Sequence, residues 1–185
     1  DLHNYYNSVH YMDSKLGEFL SLAEKEPWFE NTLIIVTADT SSFQPPQTEP
    51  KGFGEFVALR SRIPLLILGE PIKQNAEIND FASQIDLAPT IMDLLGLAWT
   101  SPWVGKSLIA KQDLLLAYTN RPGSYWAVMS EDGSVYSEND NKFHLEENMD
   151  PQLGKRLKSL GSSWLKVTSW LLQEDLYWPN LGKNN

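Results

Sequence analysis

Leu33-Ile34-Ile35-Val36 is a short β-branched run, and Thr37-Ala38-Asp39-Thr40 follows it directly. Open α/β sheets bind ligands outside the carboxyl ends of their strands, so a carboxylate at Asp39 can hold a divalent cation or orient a phosphate through one. Asp39 can equally accept hydrogen bonds from its own backbone and only cap the loop that follows; spacing alone leaves both open. The histidines say less. His3 and His10 are seven apart, whereas helical metal-binding pairs more often sit four apart, so they read as helix surface. His144 alternates with apolar neighbours in Lys142-Phe143-His144-Leu145 and reads as an exposed strand residue. No Ser-His-Asp set is supported by spacing. Gly105-Lys106-Ser107 has the ending of a phosphate-binding loop, but the glycine required five residues earlier is Thr100, which excludes that motif. Asp80, Asp86 and Asp93 fall on or near one helix, Asp86 reading as an N-cap and Asp93 as solvent-facing. Trp164 and Trp170 lie on an apolar helical stripe and read as core. Trp99 and Trp103, either side of Pro102 in a connector, are the better candidates for a substrate edge, where an aromatic face can pack on a sugar ring.

The elements that must position these residues follow from periodicity. Tyr5, Val9, Met12, Leu16, Phe19, Leu20 and Ala23 recur at steps of three and four, predicting an amphipathic helix over 4–26 that Pro27 closes. Leu33 to Val36 and Ile63 to Leu68 read as strands buried on both faces. Residues 40–58, with three prolines, two glycines and paired serines, read as a long surface loop. Phe81 to Leu95 has helical spacing, with Ser83 or Asp86 as cap, Pro89 tolerated in the first turn and Gly96 as the stop. This order of elements is that of an α/β layer with a mainly parallel sheet. After Lys106 the character changes: Leu114 to Thr119, Tyr125 to Met129, Val135-Tyr136 and Phe143 to Leu145 read as an antiparallel meander, with Asp132-Gly133 as a hairpin turn. A last helix is expected from Pro151 to about Glu174, with Leu153, Leu157, Leu160, Trp164, Val167, Trp170 and Leu171 on one stripe, followed by a frayed tail at 182–185.

Composition narrows the function classes. The 185 residues suit about one domain, and 42% hydrophobic residues suffice for a core. Fifteen Lys+Arg against 24 Asp+Glu give a net charge of −9 with no basic run, which argues against nucleic acid or an anionic membrane as partner. The lack of cysteine excludes disulfides, cysteine-zinc sites and thiol catalysis, and leaves the compartment open. No apolar run approaches the roughly 20 residues needed to cross a bilayer, and Asp1 opens no signal-peptide pattern.

Several ordered blocks carry a family resemblance. Asn4-Tyr5-Tyr6-Asn7-Ser8-Val9-His10-Tyr11-Met12-Asp13, Pro27-Trp28-Phe29-Glu30-Asn31-Thr32 and Leu33 to Asp39 resemble the segment leading to the late metal motif in the sulfatase branch of the alkaline phosphatase superfamily. Within that branch the chain looks most like the lipoteichoic acid synthase and phosphoglycerol transferase group. Arg62-Ile63-Pro64-Leu65-Leu66-Ile67 resembles the strand after the metal loop. Ser83 to Gly96 resembles the next helix, and Gly105-Lys106-Ser107-Leu108 the tail to that helix. The likeness is dense over about 4–108, thin to about 147 and negligible beyond.

The resemblance implies metal-assisted transfer or hydrolysis of a phosphate or sulfate ester, with a Thr, Ser or formylglycine nucleophile activated by one or two divalent metals. It also implies that Asp39 is one metal ligand; manganese is the expected ion, with calcium, zinc or magnesium as the other choices. The group's motif reads Asp-His, and Thr40 stands in the His position: either the His is replaced, by a hydroxyl that binds a divalent metal more weakly than imidazole, or one residue is lost, since Thr40-Ser41-Ser42 also fits what usually follows it. The nucleophile and the remaining ligands lie upstream of the segment matched here, so no catalytic residue is assigned and the chain alone is expected to be inactive. Its expected fold is the C-terminal part of an alkaline-phosphatase-like α/β domain, with 1–108 in the α/β core and 109–185 forming the antiparallel strands and terminal helix. Its expected partners are the missing N-terminal part of the same domain and a phosphate- or sulfate-ester substrate. Its expected location is extracytoplasmic, in a membrane-anchored parent. The competing expectation, favoured by Thr40, is a non-catalytic relative that binds an envelope glycan or a protein.

Overall fold

A computed structural model describes residues 2–41, 53–69, 72, 75–98, 104–110, 116–121, 125–138 and 142–176. The chain divides into two compact units, Asp1–Glu77 and Ile78–Asn185, so the boundary expected at 108 falls inside the second.

In the first unit the apolar stripe of the N-terminal residues folds as helix α1, Leu2–Ala23. It ends short of the expected 26 and passes through turns to Pro27, which disfavours helical backbone in the residue before it. A 3-10 turn, Phe29–Asn31, leads into strand β1, Ile34–Thr37. Part of the expected 40–58 loop is helix instead: α2 spans Phe53–Ser61. Beyond Gly54 the sequence Glu55 to Arg60 holds no Pro or Gly and includes the strong helix formers Ala58, Leu59 and Arg60. Strand β2, Leu65–Leu68, then pairs with β1 from Ile34↔Leu68 to Thr37↔Leu65.

This pair runs antiparallel, whereas a mainly parallel sheet was expected of the layer. Parallel neighbours need a crossover that carries the chain back to the same end of the sheet; the link through α2 instead reverses its heading. Nor are the strands buried on both faces. Three residues of β1 are half-buried, and Leu65 and Leu66 of β2 are exposed, because among the described residues no third strand joins the pair.

In the second unit a 3-10 turn, Gln84–Asp86, runs into helix α3, Leu87–Leu94, with Pro89 in its first turn and Gly96 beyond its end in the left-handed region at φ 66°. Four strands follow as the expected meander: β3 Ala117–Arg121, β4 Tyr125–Ser130, β5 Gly133–Glu138 and β6 Lys142–Leu145, each antiparallel to the next. The β4–β5 turn is Glu131-Asp132, and Gly133 takes φ 142°. Helix α4, Pro151–Gln173, opens with Pro151 and is capped by Asp150, whose Oδ1 accepts from the amides of Gln152 (2.7 Å) and Leu153 (2.9 Å).

Trp126, Val128 and Val135 of the sheet and Leu157 of α4 form the core, with Tyr118, Phe143, Leu153 and Leu165 packed around them. The helix comes close because Gly161 has no side chain; a Cβ there would overlap the Trp126 ring. Trp164 is half-buried with its ring centroid 5.0 Å from that of Tyr118. Trp170 is not core: it is 52% exposed, and Val167 is exposed as well. At 3.6 residues per turn the buried line runs Leu157, Gly161, Trp164, Thr168 and Leu171, which turns Val167 and Trp170 outward.

Candidate functional site

The rim beyond β1 is built by two clamps. Thr37 Oγ1 donates to the carbonyl of Pro64 at 2.8 Å, and Ser41 Oγ donates to the carbonyl of Arg60. One bond reaches the link between α2 and β2 and the other the last turn of α2, and Asp39 and Thr40 lie between them in sequence, exposed. The Asp39 carboxylate accepts no hydrogen bond from the described residues. Thr40 Oγ1 reaches the Ser41 carbonyl only at 3.5 Å, at the outer limit of a hydrogen bond.

A divalent ion takes six or more oxygen ligands, or four where nitrogen contributes. Asp39 and Thr40 offer one carboxylate and one hydroxyl. Among the described residues no three His, Asp or Glu side chains lie close enough to share an ion. The described residues therefore do not make a complete metal site. His3 and His10 are exposed on α1. His144 is not the exposed strand residue expected: it is half-buried and stacked on Tyr136, with centroids 4.9 Å apart and planes 9° from parallel. Asp80 and Asp93 are exposed, and Trp99 and Trp103 lie outside the described residues.

A second polar cluster forms where the sequence suggested only a cap. Asp86 is 8% exposed; its Oδ2 accepts the Ser83 amide and its Oδ1 the Lys106 amide, each at 2.8 Å. Thr90 Oγ1 donates to the Asp86 carbonyl (2.6 Å) and accepts the Leu108 amide (2.9 Å). Ser83 Oγ bonds both backbone groups of Tyr118 on β3, donating to the carbonyl at 3.2 Å and accepting the amide. Burial pushes the Asp86 carboxyl above its ordinary range, opposed by the Lys106 and Ser83 amides. Burial and then the Asp86 charge push Tyr118 upward.

The strip around Gly105-Lys106-Ser107 is thus a docking strap, not a phosphate loop. A Cβ at Gly105 would collide with the Ile85 carbonyl. The sequence signal for this junction was Ser83, Asp86 and Thr90 at i, i+3 and i+7. Its oxygens are filled by backbone amides, so the cluster fixes geometry and offers no free group for catalysis.

A family model described as Sulfatase matches residues 1–97, more than half of the chain. Arylsulfatase K of Danio rerio is 26% identical over 129 residues, which is 70% of this chain and 24% of that protein. Lipoteichoic acid synthase 2 of Bacillus subtilis (strain 168) is 26% identical over 102 residues, 51% of this chain and 16% of that protein. A solved protein of the alkaline phosphatase superfamily from Vibrio parahaemolyticus superposes with a TM-score of 0.72 at 23% identity, covering 92% of this chain and 42% of its own. The chain thus has the alkaline-phosphatase-like α/β fold and spans about a quarter or less of the curated relatives it matches. With Asp39 at the end of its first strand and a family match across the whole first unit, the chain belongs to the sulfatase family.

Proposed function

We propose that this chain is the C-terminal part of a metal-dependent phosphoglycerol transferase or sulfatase-like hydrolase acting on phosphate or sulfate esters outside the cytoplasm. The observation that carries the reading is the free, exposed Asp39 carboxylate at the carboxyl end of β1, inside the 1–97 match to the family. In this reading Asp39 contributes one ligand to a divalent ion, manganese first among the choices. The rest of the domain supplies the nucleophile and the other ligands, and the chain alone does not turn over. An ion at this rim would neutralise charge on the ester and activate the nucleophile. The two clamps at Thr37 and Ser41 hold the Asp39 loop against the stretch before β2, so the carboxylate is presented without the entropy of a free loop. Among the described residues no helix is long and apolar enough to cross a membrane.

The test is manganese binding to the longest natural polypeptide, followed by calorimetry with turnover of an aryl sulfate and a phosphoglycerol ester. Asp39→Asn is expected to weaken binding by at least about tenfold, the scale of losing one charged ligand. Unchanged binding removes Asp39 from the site. Thr40 supports a second reading, a non-catalytic relative that binds an envelope glycan or a protein, because a hydroxyl replaces the expected imidazole. Thr40→His separates the two: a gain of manganese affinity with turnover only in the variant favours the degenerate relative, and tight binding with turnover in the unaltered protein rejects it.

A further inference from the structure

The two clamps tie five residues to five. Thr37 donates to the Pro64 carbonyl and Ser41 to the Arg60 carbonyl, so 37–41 and 60–64 run in opposite directions and are bound to each other at both ends. Asp39 is the middle residue of one segment and Arg62 the middle residue of the other, and both are exposed. Paired strands lie about 5 Å apart where the β1–β2 ladder enters this frame at Thr37↔Leu65, a gap that a long arginine side chain spans. Among the described residues Arg62 forms no hydrogen bond, ion pair or ring contact. The neighbouring cation is engaged elsewhere: Cζ of Arg60 lies over the Phe56 ring of α2, 5.7 Å from its centroid. Pro64 restricts Ile63 to extended backbone, which stiffens the segment that carries Arg62.

We infer that Arg62 is the anion anchor of this rim, its guanidinium taking a non-bridging oxygen of the phosphate or sulfate ester. The inference rests on the proposed function for the presence of an ester here, and adds the residue that holds it. Charge calls for such a group. The chain has a net charge of −9 and Asp39 adds its carboxylate at the rim, so an anionic ester needs positive charge beside it. Thr40 supplies only a hydroxyl where an imidazole was expected. A guanidinium is permanently charged and presents a planar fork that makes two parallel hydrogen bonds to a tetrahedral oxyanion. Arg62 also has no ion pair to give up when the anion arrives.

Calorimetric titration of the longest natural polypeptide with inorganic phosphate and, separately, inorganic sulfate, each with manganese present, tests it. The unaltered protein is expected to bind at least one of the two, and the tighter one names the ester class. Arg62→Gln is expected to weaken that binding by at least about tenfold, and Arg62→Lys by less, because the charge stays while the fork is lost. Manganese affinity, circular dichroism and melting temperature are expected to stay unchanged in both variants, which a structural role for Arg62 would not allow. The inference is overturned if Arg62→Gln binds the anions as tightly as the unaltered protein, or if its loss comes with a lower melting temperature or weaker manganese binding. An unaltered protein that binds neither anion overturns it too. The functional reading fails separately: manganese affinity left unchanged by Asp39→Asn counts against that reading, while a tenfold loss of anion binding in Arg62→Gln still leaves the anchor standing.

Discussion

Asp86 is a carboxylate whose two oxygens each hold a backbone amide while its surroundings resist its charge. Removing the side chain leaves the Ser83 and Lys106 amides without their acceptor, and relief of a buried charge offsets part of that cost. Asp86→Ala is expected to lose about 2 kcal/mol in urea unfolding, with faster exchange of the Lys106 amide as the local sign. Titration makes a separate prediction. Because the folded-state value is raised, the native protein holds a proton that the unfolded chain releases, so stability from this group falls as pH rises through that window. Lowering pH toward the ordinary carboxylate value should therefore raise the melting temperature of the unaltered protein relative to Asp86→Asn; a difference that shrinks as pH falls rejects the assignment. Asp86 was legible in the sequence as a cap and no more, because its second partner, Lys106, is twenty residues away. Strand pattern placed Asp39 just past the carboxyl end of β1, and the fold shows it exposed there.

Helix α4 meets the sheet through the gap left by Gly161. Gly161→Ala gains helix propensity but drives a methyl into the Trp126 ring, and the ring cannot retreat from the sheet that holds it. A net loss of about 1–3 kcal/mol is expected, seen as a lower melting temperature with altered tryptophan fluorescence; a gain in stability would mean the helix shifts freely. Deleting the buried side chain opposite, Leu157→Ala, should cost about 2–5 kcal/mol in the same assay. Elements set by local pattern were legible: α1, α4 and the meander, although its β4–β5 turn falls on Glu131-Asp132, one residue earlier than the expected Asp132-Gly133. What escaped depended on neighbours. The expectation of doubly buried strands took Leu65 and Leu66 as members of a wide sheet, and Trp170 was assigned to the stripe without knowing that the buried line runs through Gly161 and Thr168. Helix α2 was hidden because the prolines and glycines of 40–54 coloured a window whose last residues favour helix.

At the scale of the whole chain, the two units differ in how much core each closes. The second surrounds Trp126 and Val135 on a four-stranded sheet, and the first buries only Ala23 and Val57 among its described residues. Urea unfolding of the chain alone is expected to show two transitions, the earlier one reporting α1 and the later one the Trp126 environment, checked by circular dichroism against tryptophan fluorescence. One coincident transition would mean the units melt as one. The position of α4 behind the meander has a further consequence for biosynthesis. Every strand of the meander leaves the ribosome before Leu157 does, so the Trp126 face lacks its α4 cover until that helix emerges. A premature stop ahead of Leu157 would release a sticky sheet, a substrate for chaperones and proteases, instead of a shortened but serviceable protein.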